Sequence, residues 1–254
     1  MHILAQYWGG SPRRPVRVPF WGFLRGLFPF PLTGYTRILL ITCVVIHLGF
    51  LFGLRVLPYE ALDLYSILSL SLVGVLHGYV WELVSYIFLH SLTSIWHLLF
   101  NMFGLYILGI PVERSIGSRS FLRLFFISGV TGGVVYLLWA FISGNYIIPA
   151  VGASGAIMGV LTAFALLYPE ARLYLFFAIP VRARQLIPLS IGMEIFFAFA
   201  DTNIAWQVHL GGMLGAWVYL RRPWRPAYIY SVRMRLRRLK QLLFGPRVPP
   251  RYPY

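Results

Sequence analysis

The sequence predicts an all-α polytopic membrane protein, a bundle of six helices, and three observations carry that prediction. First, 59% of the 254 residues are hydrophobic and 11% are charged, against about 25% charged in an average soluble domain. Second, the apolar residues gather into runs of membrane-spanning length. These place spans at about 37–56, 83–109, 119–142, 152–168, 186–200 and 206–220. Third, the basic residues alternate between connections. All of the 22 Lys and Arg residues except Arg55 fall in residues 1–37, around the second and fourth connections, or at and beyond the end of the sixth span.

That alternation also explains the net charge of +15. In a soluble chain such a charge points to nucleic acid. Here the positive-inside rule accounts for it, with both termini in the cytoplasm and the first, third and fifth connections outside. No nucleic-acid partner is expected, and the expected location is a bacterial inner membrane. The single cysteine, Cys43, excludes an intrachain disulfide and a cysteine-based zinc site. No metal or cofactor is expected.

In chain order, residues 1–36 read as a proline-rich, aromatic tail lying against lipid headgroups. Residues 37–222 form the membrane domain. After the first span comes a long, semi-hydrophobic outer loop, 58–82, expected to lie in the interface without regular structure. The second span carries His97 and Asn101, four residues apart and so on one helix face, and is expected to end before Pro111. The third span is rich in glycine (Gly129, Gly132, Gly133), which permits close helix contact. The fourth opens on Gly152-Ala153-Ser154-Gly155, and a cytoplasmic connector follows it. The fifth contains one acid, Glu194, read as a neutral, hydrogen-bonded bundle residue or as lining a gate. The sixth carries His209. In the basic tail, 223–254, Val232, Leu236, Leu239 and Leu243 share one helical stripe. That pattern suits an in-plane helix on anionic lipid, with a disordered tail as the alternative.

Ionisable and polar groups inside a bilayer are costly, and depth sharpens the hint they give. From Ser154 to Tyr168 is 15 residues, or roughly 22 Å of helix, short of the roughly 30 Å hydrocarbon core. Counted from the cytoplasmic ends of their spans, Ser154, His209, His97 and Asn101 all lie roughly 18–24 Å up. A lone membrane serine is usually bonded to its own backbone, and a lone histidine is usually packing. Four such groups at one level fit a single task. Neutral histidine takes the proton that makes a serine nucleophilic. His97, Asn101 and the Ser154 backbone N–H can donate to an oxyanion at a helix N-terminus. Gly155 and Gly159, facing Gly211, Gly212, Gly215 and Ala216, would bring the fourth and sixth spans close enough for that bond. No carboxylate is placed to orient the histidine, so the pair reads as a dyad. His47, His77 and His90 read as packing or interfacial polarity.

His97-Leu98-Leu99-Phe100-Asn101, Gly152-Ala153-Ser154-Gly155 and His209-Leu210-Gly211-Gly212, in that order on the second, fourth and sixth spans, resemble the signature of the rhomboid family of intramembrane serine proteases. The resemblance covers roughly residues 37–222. It implies Ser154 as nucleophile, His209 as general base, and His97, Asn101 and the Ser154 backbone as the oxyanion hole. It also implies substrates that are transmembrane proteins, admitted past the fifth span and cut near the outer face. The chain departs from the family pattern at four places. Glu82 follows Trp81 where Arg is common, and Met158 stands where an aromatic commonly stacks on the histidine. Val208 replaces a preceding alanine, and Ala216 replaces a glycine. The alternative is a non-catalytic membrane-protein binder of the same fold. A small-solute transporter would call for an inverted repeat, and the sequence contains no internal repeat.

Overall fold

The computed structural model describes residue 32 and residues 34–144, 146–175, 179–200 and 205–221. The expected tails lie almost wholly outside the described residues, and the stripe from Val232 to Leu243 does so entirely. The chain folds as helices α1 (Gly34–Val56), α2 (Pro58–Leu68), α3 (Leu72–Leu76), α4 (Glu82–Ser85), α5 (Ile95–Ile116), α6 (Ser118–Ser143), α7 (Ser154–Leu167), α8 (Ala183–Phe199) and α9 (Trp206–Arg221). A two-stranded antiparallel ribbon, β1 (Arg172–Leu175) and β2 (Ile179–Arg182), stands between α7 and α8. The expected connector is therefore ordered, with Arg172 opposite Arg182 and both Arg182 and Arg184 reaching Glu170.

Helices α1, α5 and α6 are long and apolar enough to cross a membrane, and α7 is apolar but shorter. Along α1, Ile38, Ile41, Val45, Leu48 and Phe52 are exposed. So large an apolar surface on one face is what lipid, not water, accommodates. The helix starts at Gly34, slightly ahead of the expected 37, because an acid caps it. The Glu113 carboxylate accepts from the backbone N–H groups of Tyr35 (2.8 Å) and Thr36 (2.9 Å) and from the Thr36 hydroxyl (2.6 Å). Those backbone donors are among the ones a helix start leaves unsatisfied.

The second span differs from its expected bounds of 83–109. Residues 82–88 form α4 and a 3-10 turn, and only at Ile95 does the long helix begin. Ser91, Thr93 and Ser94 bond to one another locally, and such bonds compete with helix winding. Nor does Pro111 end the span. It follows a π-helical turn, Leu105–Gly109, and the helix runs on to Ile116. A proline ring clashes with the carbonyl four residues back in α winding. Here that carbonyl belongs to the wider π turn.

The loop expected to lack regular structure, 58–82, carries α2 and α3. Pro58 opens α2, where its missing N–H costs nothing. Ser71 caps α3 by accepting from Gly74 N–H at 3.0 Å. The loop is pinned from inside by Glu82, which is 1% exposed and accepts from Ser71 N–H at 2.8 Å. A Cβ at Gly74 would fall 1.9 Å from the Glu82 carboxylate. Trp81 holds the same loop from outside, donating from Nε1 to Ile67 O at 3.0 Å. The departure from Arg at position 82 thus gives the loop a different anchor.

At the centre α6, α7 and α9 touch backbone to backbone. A Cβ on Gly212 would lie 1.9 Å from Gly155 O, and one on Gly132 2.5 Å from Val208 O. Gly159 faces Ser128 and Gly212. Gly211 and Gly215, expected to face the fourth span, instead pack on α6 at Gly132 and Thr131.

Two predictions follow from this packing. Gly212→Ala must push α7 and α9 apart, and overpacking of this kind costs about 1–3 kcal/mol. The thermal midpoint in detergent should fall, and an unchanged midpoint would contradict the contact. Burial raises the Glu82 carboxyl above its usual range, against the pull of its bonds from Ser71. Its contribution to stability is therefore present at low pH and lost as pH rises through that raised value. Glu82→Gln, permanently neutral, should flatten the fall in thermal midpoint between acid and neutral pH.

Candidate active site

Helix α7 begins on Ser154 itself, so no earlier helical turn offers its hydroxyl a carbonyl, and it is not bonded back to its own helix. The Ser154 Oγ lies 2.7 Å from His209 Nε2 on α9. Close contact of Gly155 with Val208 and of Gly212 with Gly155 sets that distance. Val208, bulkier than the expected alanine, fits because position 155 has no side chain. On its other side the His209 ring meets an acid: Nδ1 is 2.9 Å from Glu194 Oε1 on α8. This corrects the expectation that no carboxylate reaches the histidine. Glu194 is 2% exposed, and among the described residues its carboxyl makes no other hydrogen bond.

Gly152 has φ +126°, a conformation that side-chain-bearing residues rarely adopt. Its role is more than packing. A Cβ there would stand 2.7 Å from His97 Nε2, so its absence lets that imidazole lie against the serine loop. The loop is itself tied down: Gly152 N–H donates to Tyr86 O, and Ala150 pairs with Leu70. His97 Nδ1 accepts from Ser91 N–H at 3.2 Å. A ring nitrogen that accepts leaves the proton of neutral imidazole on the other nitrogen. Nε2 is therefore a donor, and it faces the serine loop. Asn101 donates through Nδ2 to His97 O at 2.6 Å, which leaves its second amide N–H for another acceptor.

Ser154, His209, His97, Asn101 and Met158 line one cavity of about 690 Å³. The expected site residues on three helices are thus brought together. Met158 lies in the cavity wall, and the ring partners of His209 among the described residues are Ser154 and Glu194. Two further residues bear on the site. His90, expected as packing or interfacial polarity, is buried, and its ring lies 5.4 Å from that of His97. Glu194 is hydrogen-bonded within the bundle, one of the two readings of it, but its partner is His209, which no spacing along the chain indicates. His77 is exposed and bonds Val73 O.

A hydroxyl in contact with an imidazole, beside a helix N-terminus and two further donors, has the components of acyl transfer. The comparisons with known proteins agree at the level of family. The rhomboid domain profile matches residues 77–224. The chain belongs to the rhomboid family. This rhomboid is 32% identical over 170 residues to RHOMBOID-like protein 12, mitochondrial, of Arabidopsis thaliana, covering 60% of the chain and 50% of that protein. It is 35% identical over 138 residues to rhomboid protease GluP of Bacillus subtilis, covering 54% of the chain and 25% of that protein. It is 30% identical over 131 residues to rhomboid protein 1, mitochondrial, of Saccharomyces cerevisiae, covering 49% and 37%. The chain spans a quarter to a half of the length of these relatives. Their names come from bacteria and mitochondria alike, so they lend no support to the expected bacterial inner membrane.

Gly152→Ala tests the cradle around His97. The added methyl group and the strained backbone should displace the imidazole and slow labelling of Ser154 by a fluorophosphonate at least tenfold, a size in line with loss of one oxyanion donor (roughly 10²-fold). Labelling at the wild-type rate would show that His97 need not sit there.

Proposed function

We propose that this rhomboid is an intramembrane serine endopeptidase that hydrolyses a peptide bond in or near transmembrane helices of membrane proteins. The observation that carries the reading is the 2.7 Å contact between Ser154 Oγ and His209 Nε2, in a cavity shared with His97 and Asn101. Ser154 attacks the scissile carbonyl as its proton passes to His209 Nε2. The negative charge that develops on the carbonyl oxygen meets His97 Nε2–H, the free Asn101 N–H and the Ser154 backbone N–H. His209 then returns the proton to the leaving amine. Water, activated by the same imidazole, releases the acyl group and regenerates the serine.

The reading extends to six membrane crossings with both termini in the cytoplasm. Substrate helices enter past α8, whose outward side chains Ile191, Ile195 and Phe196 are exposed. The basic residues of 223–254 meet anionic lipid.

Ser154→Ala and His209→Ala should each abolish cleavage of a single-span substrate reconstituted in liposomes, with the loss exceeding about 10³-fold. A fluorophosphonate should label Ser154 alone. Cleavage that survives Ser154→Ala would overturn the reading, and capture of a substrate helix with no product by wild type would mark a binder instead.

A further inference from the structure

We propose that Glu194 is the positioning acid of this site: it holds His209 in the one tautomer that can act as base and completes a Ser–His–Glu relay. The inference rests on the protease reading above. To accept the Ser154 proton, His209 Nε2 must present a lone pair at the 2.7 Å contact. The ring proton then sits on Nδ1 and donates to Glu194 Oε1 at 2.9 Å. The opposite tautomer would turn an N–H toward Ser154 and leave the imidazole unable to take its proton. When His209 gains the serine proton it becomes a cation, and the acid lies on its far edge in a buried setting where that charge needs an opposite partner.

Three observations set Glu194 apart from a bundle acid that happens to be near. His209 is its single hydrogen-bond partner among the described residues, so the carboxyl group serves no other network. Between residues 187 and 199 of α8, Glu194 is the one buried residue. Over that stretch the acid is the side chain most fully enclosed by the bundle. Finally, position 158, in the wall of the same cavity, carries a flexible methionine that gives the ring no hydrogen bond. Orientation of His209 by hydrogen bonds therefore comes from Ser154 and Glu194 alone among the described residues. Because the acid rides on α8 and the base on α9, the relay is complete only while the two helices lie together. A displacement of α8 separates Glu194 from the ring.

The test uses full-length protein in detergent or liposomes, with two variants of similar volume, Glu194→Gln and Glu194→Leu. Both should lower kcat by about 10- to 10³-fold with KM within twofold of wild type, an effect of the kind seen when a histidine loses its orienting acid. A residue that merely packs would be replaced by leucine without such a split. Wild-type kcat in Glu194→Leu would overturn the proposal. Nitrogen-15 NMR of the histidine rings, with the His209 signal identified by its loss in His209→Ala, gives a reading that needs no turnover. Wild type should show a protonated Nδ1 and a bare Nε2, and Glu194→Leu should shift the ring toward the other tautomer. A bare Nδ1 in wild type would overturn the proposal whatever the variants do. Absence of Ser154-dependent cleavage in wild type would end the protease reading instead, and the ring tautomer would still decide the Glu194 contact.

Discussion

Gly212 lies so close to the carbonyl of Gly155 that a single added carbon would fall 1.9 Å from its oxygen, and the meeting of Ser154 with His209 depends on that approach. Within lipid there is no hydrophobic drive between helices, so association relies on backbone surfaces that fit. Here Gly132, Gly155 and Gly212 give three helices faces without side chains, and Val208 fills the remaining gap. The hydroxyl of α7 and the imidazole of α9 meet because the helices that carry them cannot be held further apart without losing this contact. Direct helix contact takes the place that a hydrophobic core takes in water.

Around this contact the other polar groups are each held by a neighbour. His97 takes an N–H from Ser91 and leans on His90, while Asn101 bonds back to the carbonyl of His97. The serine loop is tied to Tyr86 and Leu70. Two acids away from the cavity do purely structural work. Glu113 closes the start of α1 and Glu82 closes the loop 58–82. Each is a buried acceptor matched to backbone donors that would otherwise go unpaired, which is the condition under which a low-dielectric interior tolerates it. Glu194 differs from both, because its partner is the side chain that the proposed chemistry uses.

Much of this was legible from the chain. The site residues are isolated polar groups in apolar runs, and the helices at 118–143, 154–167 and 206–221 fall within two residues of their expected bounds. The second span was misplaced for a local reason. Residues 83–94 are apolar enough to read as membrane, yet their Ser and Thr groups bond to each other and break the winding. The order in the loop 58–82 is not legible in the chain because its anchor, Glu82, pairs with Ser71, eleven residues before it, in a turn whose shape no periodicity encodes. Glu194 was visible as an acid in an apolar run, but the face it presents was not. Apart from Arg184, Gln185, Ser190 and Glu194, α8 carries apolar residues on every face, so its hydrophobic pattern does not mark the side that meets α9.

By itself the sequence determined the membrane setting, the helical class, the order of the motifs and the glycines that let α7 and α9 touch. These are properties of residue type and spacing, which local geometry and solvent preference translate directly. Only the tertiary structure decided which neighbour each glycine faces and which tautomer His97 adopts. It also decided that an acid from a third helix reaches the far nitrogen of His209. Those depend on helix rotation and on contacts between residues far apart in the chain, and a hydrogen bond is sensitive to tenths of an ångström that spacing along one strand of sequence does not carry.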